Sequence, residues 1–302
     1  MTSLYEHLNE DCKRLIHSNK EDKIQFMHES VWIEYPKTKE ILRLLKQLMD
    51  RPKKPRMPNL LIIGESNIGK TSIVTEFEKL HQGYTIEDEN EMSVVIRPVL
   101  LALAPTKADE KSLYISILES FWTPFRTTDS LAKLRNQVYY LMRECNVKIL
   151  VLDEMHHFLS GTPVQQRDVM NALKNIGTKL MIPIVGVGIK DAALILTSDP
   201  QLSSRFDLIK LSKWELDKNF RGLLKAFEKR LPLKNASNLD ERDKATLLHS
   251  ISQGNLGDLH RLLIECATFC IENNKEEITL DIIGKYKWLK PTSNLTPREI
   301  QL

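Results

Sequence analysis

The sequence predicts an α/β fold: a parallel sheet sandwiched by helices, followed by a smaller domain made of helices alone. Three observations predict it. Between about residues 59 and 213, short apolar runs alternate with helical stretches, and runs apolar on both faces are the mark of buried parallel strands. The first run leads directly into GESNIGKT (64–71), a glycine-containing loop of the strand–loop–helix type. After Trp214 only helical periodicity remains.

The chain's 302 residues allow one large or two ordinary domains. With 42% hydrophobic and 27% charged residues, it has the balance of a soluble globular protein. No apolar run approaches the roughly 18 residues of a membrane span. The start, MTSLYEHLNEDCKRL, lacks the apolar stretch of a signal peptide. A cytoplasmic protein with no membrane partner is therefore expected. The net charge is only +3, so any nucleic-acid contact has to come from local patches. Of the four cysteines, Cys266 and Cys270 are four apart in an apolar helical stretch without further ligands nearby. They read as buried thiols and not as a metal site.

Taken in order, residues 1–50 read as an amphipathic helical segment broken at Tyr35-Pro36. Residues 51–58 carry four cations and three prolines, which makes them a basic linker that cannot be helical. An α/β core follows over 59–213. Its predicted strands are 59–63, 93–103, 148–152, 182–187 and 208–211, and its helices 71–80, 109–122, 128–145, 164–179 and 190–197. A helical domain over 214–290 is expected to hold helices near 215–231, 239–252, 257–273 and 279–288. A tail over 291–302 completes the chain.

GESNIGKT fits GxxxxGK(S/T) at Gly64, Gly69, Lys70 and Thr71. The chemistry needs this pattern. Backbone N–H groups of Glu65, Ser66, Asn67, Ile68, Gly69, Lys70 and Thr71 would wrap a phosphate at a helix N-terminus. Glycine lets the backbone bend tightly and approach closely. Lys70 would reach the β- and γ-phosphates, the Thr71 hydroxyl would hold Mg²⁺, and Ser72 completes the candidate nucleotide-binding set. The strand KILVLDE, about 80 residues further on, ends in two acids. Strand C-termini are where open α/β sheets bind ligands. Asp153 there is expected on Mg²⁺, and Glu154 is expected to polarise a water for in-line attack on the γ-phosphate. His156 and His157 follow without HExxH spacing, so His156 is read as a contact behind the acids and His157 as structural. Arg205 lies in DPQLSSRF (199–206), at a turn into the last strand. An arginine so placed can reach a neighbour's γ-phosphate; an ordinary surface arginine is the alternative.

The order of phosphate loop, DE pair, SRF and helical domain resembles that of the AAA+ ATPases. RMPNLLIIGESNIGKT, LDEMHHFLSG, QQRDVMNALKNIG, IPIVGVGIKDA and DPQLSSRF followed by LSKW together resemble the TniB/TnsC family of transposition ATPases, over roughly residues 30–275. The resemblance implies an AAA+ core with a C-terminal helical lid, and ATP and Mg²⁺ as cofactors. It implies homo-oligomeric rings or helical filaments on double-stranded DNA, recruitment or activation of a DDE transposase, and disassembly on ATP hydrolysis. A target-selection protein is a further partner of this kind, and bacterial cytoplasm, with the nucleoid when on DNA, the implied location. It makes Gly64–Thr71 the Walker A loop, Asp153 and Glu154 the Walker B pair, and Arg205 a finger acting in trans. Tyr35 precedes the core where AAA+ proteins often line the adenine pocket. Two positions depart from the pattern. Ile189 stands where the family often has Thr or Asn, and Gly257 stands where AAA+ proteins often have a sensor arginine, with Arg261 one turn later as the candidate substitute. Both departures imply slow or partner-stimulated hydrolysis.

In the family's ring geometry, the loop after the second strand and the turn between the next two helices face the channel. Thr106, Lys107, Arg126, Thr127 and Thr128 are the DNA-contact candidates there, since hydroxyls and cations contact phosphates without reading bases. The linker cations Arg51, Lys53, Lys54 and Arg56 form a second candidate. The N-terminal 30 residues and the tail from Pro291 are candidates for partner docking. Two competing readings are an AAA+ helicase loader or replication-initiator-like ATPase, and a small-molecule kinase using the same loop.

Overall fold

The computed structural model describes residues 5–29, 32–87, 93–197 and 203–289. The partner-docking tail from Pro291, residues 1–4 and 30 of the N-terminal docking candidate, and the DPQL part of DPQLSSRF lie outside the described residues. The chain divides into two compact units, one of Pro36–Leu211 and the other joining residues up to Tyr35 with those from Ser212 onward. The segment 1–50 is thus shared between the two.

In the α/β unit the strands are β1 (Asn59–Gly64), β2 (Tyr84–Glu87), β3 (Ser93–Ile96), β4 (Val99–Leu103), β5 (Ile149–Asp153), β6 (Ile184–Gly188) and β7 (Phe206–Leu211). Five of them form one sheet in the order β4-β5-β6-β1-β7, with every pairing parallel. All residues of β1, β5 and β6 are buried, which explains their unbroken apolar runs: both faces are covered. Helices Lys70–Leu80, Glu110–Ser120, Leu131–Glu144 and Pro163–Leu180 contribute to this unit. Tyr114, Phe158, Val138, Leu173 and Ile176 fill its core. Helix Pro36–Met49 buries Ile41, Leu45 and Leu48, a three- and four-residue spacing that makes one apolar stripe, and packs against Lys70–Leu80.

One expectation is corrected. The single strand 93–103 is two strands in two different sheets. Ser93–Ile96 pairs antiparallel with Tyr84–Glu87, a strand absent from the sequence reading, while Val99–Leu103 joins the main sheet beside β5. The break falls at Arg97-Pro98, where proline has no N–H for a ladder. Arg97 is fixed there: its N–H donates to Cys145 O at 2.7 Å and its guanidinium donates to Ser120 O and lies 3.4 Å from Glu78.

The helical unit packs Lys218–Glu228, Arg242–Ser252, Leu256–Glu272 and Leu280–Lys285 around Phe220, Leu224, Leu248, Leu262 and Cys266. Two N-terminal helices, Glu10–Leu15 and Lys20–His28, complete it. Met27 sits in the same core, 1% exposed. Caps match the sequence: Asp217 accepts from Phe220 N–H, and Asn255 accepts from Gly257 and Asp258 N–H, as short polar side chains do at helix starts. Burial pushes the Cys12 thiol up to about 12 and that of Cys270 to about 11. Among the described residues no cluster of three or more His, Cys, Asp or Glu could hold a metal ion, and no helix is long and apolar enough to cross a membrane.

Candidate nucleotide site

The loop leaves β1 at Gly64 and enters helix Lys70–Leu80 at Gly69. Gly69 has φ 95°, left-handed backbone that glycine adopts without strain. At Gly64 a side chain would meet Leu211 O at 2.8 Å, so the neighbouring strand demands glycine at the strand exit. Asn67 is also left-handed, φ 61°, and Ile68, 2% exposed, pins the loop's middle to the core. The helix N-terminus therefore faces the loop with free N–H groups and positive dipole.

Lys70 is 7% exposed. Its ammonium donates to Gly64 O at 3.1 Å and Glu65 O at 2.6 Å. Burial pushes its pKa down, and the carboxylates of Glu154 and Asp153 pull it back up. The Thr71 hydroxyl donates to Asp153 Oδ2 at 2.7 Å. Asp153, 7% exposed, also accepts at Oδ1 from the Glu154 N–H at 2.8 Å. Residues 82 apart in sequence thus meet at one edge of the sheet. A hydroxyl beside a carboxylate, both next to a phosphate-type loop, is the oxygen donor set that suits Mg²⁺.

Glu154 begins the turn after β5 with φ 54°. A non-glycine residue held there is uncommon and costs energy. It sets the Glu154 side chain, 38% exposed, beside His156, whose Nδ1 lies 3.1 Å from its carboxylate. His157 Nδ1 contacts Ala104 O at 3.1 Å. Between β1 and β5 runs β6, and the residue leaving it is Ile189, half-buried, with no polar group to offer.

Tyr35 belongs to the helical unit, where its ring meets Trp214 edge-on with centroids 4.7 Å apart and burial pushes its pKa up to about 12. Arg261 is exposed on helix Leu256–Glu272 of that unit. Ser72 is exposed in the first turn of the loop's helix. Thr106 and Lys107 are exposed on the loop leaving β4, whose end is in register with Asp153. Arg126, Thr127 and Thr128 are exposed in the connection between helices Glu110–Ser120 and Leu131–Glu144. Arg126 also lines an open groove of about 700 Å³ with Lys133, Asn136, Gln137 and Tyr140.

Arg205 sits at the opposite edge of the sheet. Its carbonyl accepts from Asn59 N–H at 2.7 Å, at the N-terminal start of β1, whereas the loop leaves the C-terminal end of the same strand. Five strand steps separate the two, about 17 Å, well beyond a side chain's length. Asn59 is a residue the sequence reading missed. Buried to 6% exposure, it also accepts from Ile184 N–H at 2.9 Å and so ties together the starts of β1, β6 and β7. Its signal was one polar residue opening the apolar run NLLIIG. Also missed was Lys190, paired at 3.0 Å with Glu65 of the loop.

A family model described as "Bacterial TniB protein" matches residues 23–216, more than half of the chain. No protein among the curated proteins matches it. Similar solved structures include the Aeropyrum pernix ORC2 protein (ADPNP-ADP complexes), with 13% identity, TM-score 0.60, and coverage of 86% of this chain and 70% of that one. The Aeropyrum pernix ORC1 protein in complex with DNA has 16% identity, TM-score 0.60, and coverage of 87% and 68%. Cdc6p from Pyrobaculum aerophilum has 18% identity, TM-score 0.59, and coverage of 85% and 68%. These likenesses show the fold: the parallel α/β core with a helical C-terminal region is the AAA+ fold.

Proposed function

Because the chain belongs to the TniB family of bacterial proteins, we propose that it is an ATP-dependent, DNA-binding regulator of transposition, an ATPase whose copies assemble on duplex DNA and engage a DDE transposase. The observation that carries this reading is the division of the sheet into two working edges. Lys70, Thr71, Asp153 and Glu154 gather at the C-terminal edge, and Arg205 stands at the N-terminal edge beside Asn59. One copy supplies the loop and the acids; the finger for its nucleotide must come from a second copy, which makes nucleotide and assembly interdependent.

Each residue's task follows from its place. The loop N–H groups and Lys70 bind the phosphates, Thr71 and Asp153 hold the metal, and Glu154, half in solvent, orients the attacking water. Mg²⁺, when bound, neutralises charge on the β- and γ-phosphate oxygens. His156 lies beside the Glu154 carboxylate, its Nδ1 3.1 Å away. Ile189 leaves one side of the γ-phosphate without a hydrogen-bond donor from this strand, which supports slow turnover. Thr106, Lys107, Arg126, Thr127 and Thr128 are the proposed phosphate contacts on DNA. The AAA+ fold is shared with ORC and Cdc6 proteins and does not separate this reading from a replication-initiator-like one; the match to the TniB family is what favours it.

The test is ATP-γ-S with plain duplex DNA, imaged by negative-stain microscopy, alongside Glu154→Gln with ATP. Rings or filaments on DNA are expected in both, with hydrolysis by the variant lowered about a hundredfold or more. A monomer indifferent to DNA sinks the reading, and a Glu154→Gln protein that hydrolyses normally sinks the role of that residue.

A further inference from the structure

Arg205 does not stand alone at its edge of the sheet. It opens into a cleft of about 520 Å³ that Lys54, Arg56, Met57, Ser204 and Asp207 also line. The linker is held there by its own chemistry. Prolines 52, 55 and 58 fix φ and keep it extended, Met57 anchors it at 4% exposure, and the Asn59 N–H bond to Arg205 O clamps its end to the turn before β7. The exposed Lys54 and Arg56 therefore share a mouth with Arg205. Among the described residues none of these three cations makes a salt bridge, and Asp207 is the one carboxylate in the lining. Three cations against one carboxylate leave the concavity net positive, which favours an anion there.

We propose that Lys54 and Arg56 act with Arg205 as a single anion-binding cleft that receives the terminal phosphates of a nucleoside triphosphate held on the loop of a second copy of this chain. The inference rests on the proposed action of Arg205 in trans. A concave site of this size suits a compact polyanion, whereas duplex DNA presents its charge as an extended convex surface. The cleft also faces away from the C-terminal edge, where the nucleotide loop and the 104–109 loop lie. Head-to-tail stacking of copies would bring the cleft of one against the loop of the next. The linker is then part of the nucleotide sensor and not a second DNA contact.

Mixed-subunit hydrolysis tests this. Lys54→Ala/Arg56→Ala is expected to lower DNA-dependent ATP hydrolysis about tenfold or more, to raise the ATP-γ-S concentration needed for assembly, and to leave the salt dependence of DNA affinity unchanged. Lys70→Ala has no phosphate lysine but offers an intact cleft. Mixed with the double variant, it should restore hydrolysis several-fold over either protein alone, as it should with Arg205→Ala. The charge-keeping Lys54→Arg/Arg56→Lys should retain more hydrolysis and assembly than the double alanine variant, because it keeps both charges in the cleft. If Arg205→Ala is rescued but the double variant hydrolyses normally, the linker has no part and the inference falls while the reading of Arg205 stands. A double variant that is not rescued and has a flattened salt slope assigns the linker to DNA instead. Failure to rescue Arg205→Ala overturns the action in trans and this inference with it.

Discussion

Lys70 is a charge kept where charge is costly. Its partners are two neutral carbonyls, and burial holds its pKa below the ordinary lysine value even with Glu154 and Asp153 nearby. A triphosphate binds the protonated form, so affinity declines once pH rises past the pKa of the nucleotide-free protein. Because that pKa is depressed, the decline should begin below 10.5. Equilibrium binding of nucleotide from neutral pH upward measures it, with Lys70→Arg as control, since arginine keeps its charge throughout. Flat affinity up to the ordinary lysine value, or an equal decline in Lys70→Arg, contradicts the assignment. At this scale much was legible: Gly64, Gly69, Lys70, Thr71 and Asp153 stand in a pattern whose chemistry leaves few alternatives. The φ of Glu154 and the tie made by Asn59 were not, because each depends on neighbours that sequence does not place beside it.

Elements were legible where their environment is uniform. β1, β5 and β6 are covered on both faces, so their apolar runs declare them. The run over 93–103 misled because Val, Ile and Leu have the same local preference on both sides of Pro98, while the pairing partner changes from β2 to β5, a non-local fact. The same limit applies to the turn after the acids. Ser160 donates to Thr106 O at 2.8 Å and His157 contacts Ala104 O, so the segment following Glu154 grips the loop proposed for DNA. Whether the loop meets DNA is read from salt. Each lost phosphate contact should flatten the slope of log affinity on log salt by about 0.9 in Lys107→Ala and in Arg126→Ala. Two independent phosphate contacts should add, so the double variant should lose the sum. Both side chains are exposed, so stability should shift by less than about 0.5 kcal/mol. An unchanged slope in both variants removes these residues from the DNA surface.

For the whole molecule, the boundary at Trp214 was visible as a change from alternating to purely helical periodicity, but the membership of the first 35 residues in the C-terminal unit was not. Their local pattern says only that they are helical. What assigns them is long-range: Asn9 N–H donates to Lys229 O at 2.8 Å, Lys20 donates to Glu272 O at 2.8 Å, and helix Lys20–His28 packs on Leu256–Glu272. Met27 carries the apolar part of this attachment. Truncating a buried methionine typically costs about 2–5 kcal/mol, the lost transfer energy plus the cavity left behind. Met27→Ala should therefore lower the stability of the helical unit by that order. Hydrogen exchange should quicken in Leu256–Glu272, while the amides of β1 and β5, in the other unit, keep their protection. Nucleotide added in excess stabilises what it binds, by about 2.7 kcal/mol at a hundred times its dissociation constant, and should slow exchange in β1 and β5 of the variant as it does in the unchanged protein. Exchange in Leu256–Glu272 that is indifferent to Met27→Ala would show that the N-terminal helices rest on this unit without supporting it.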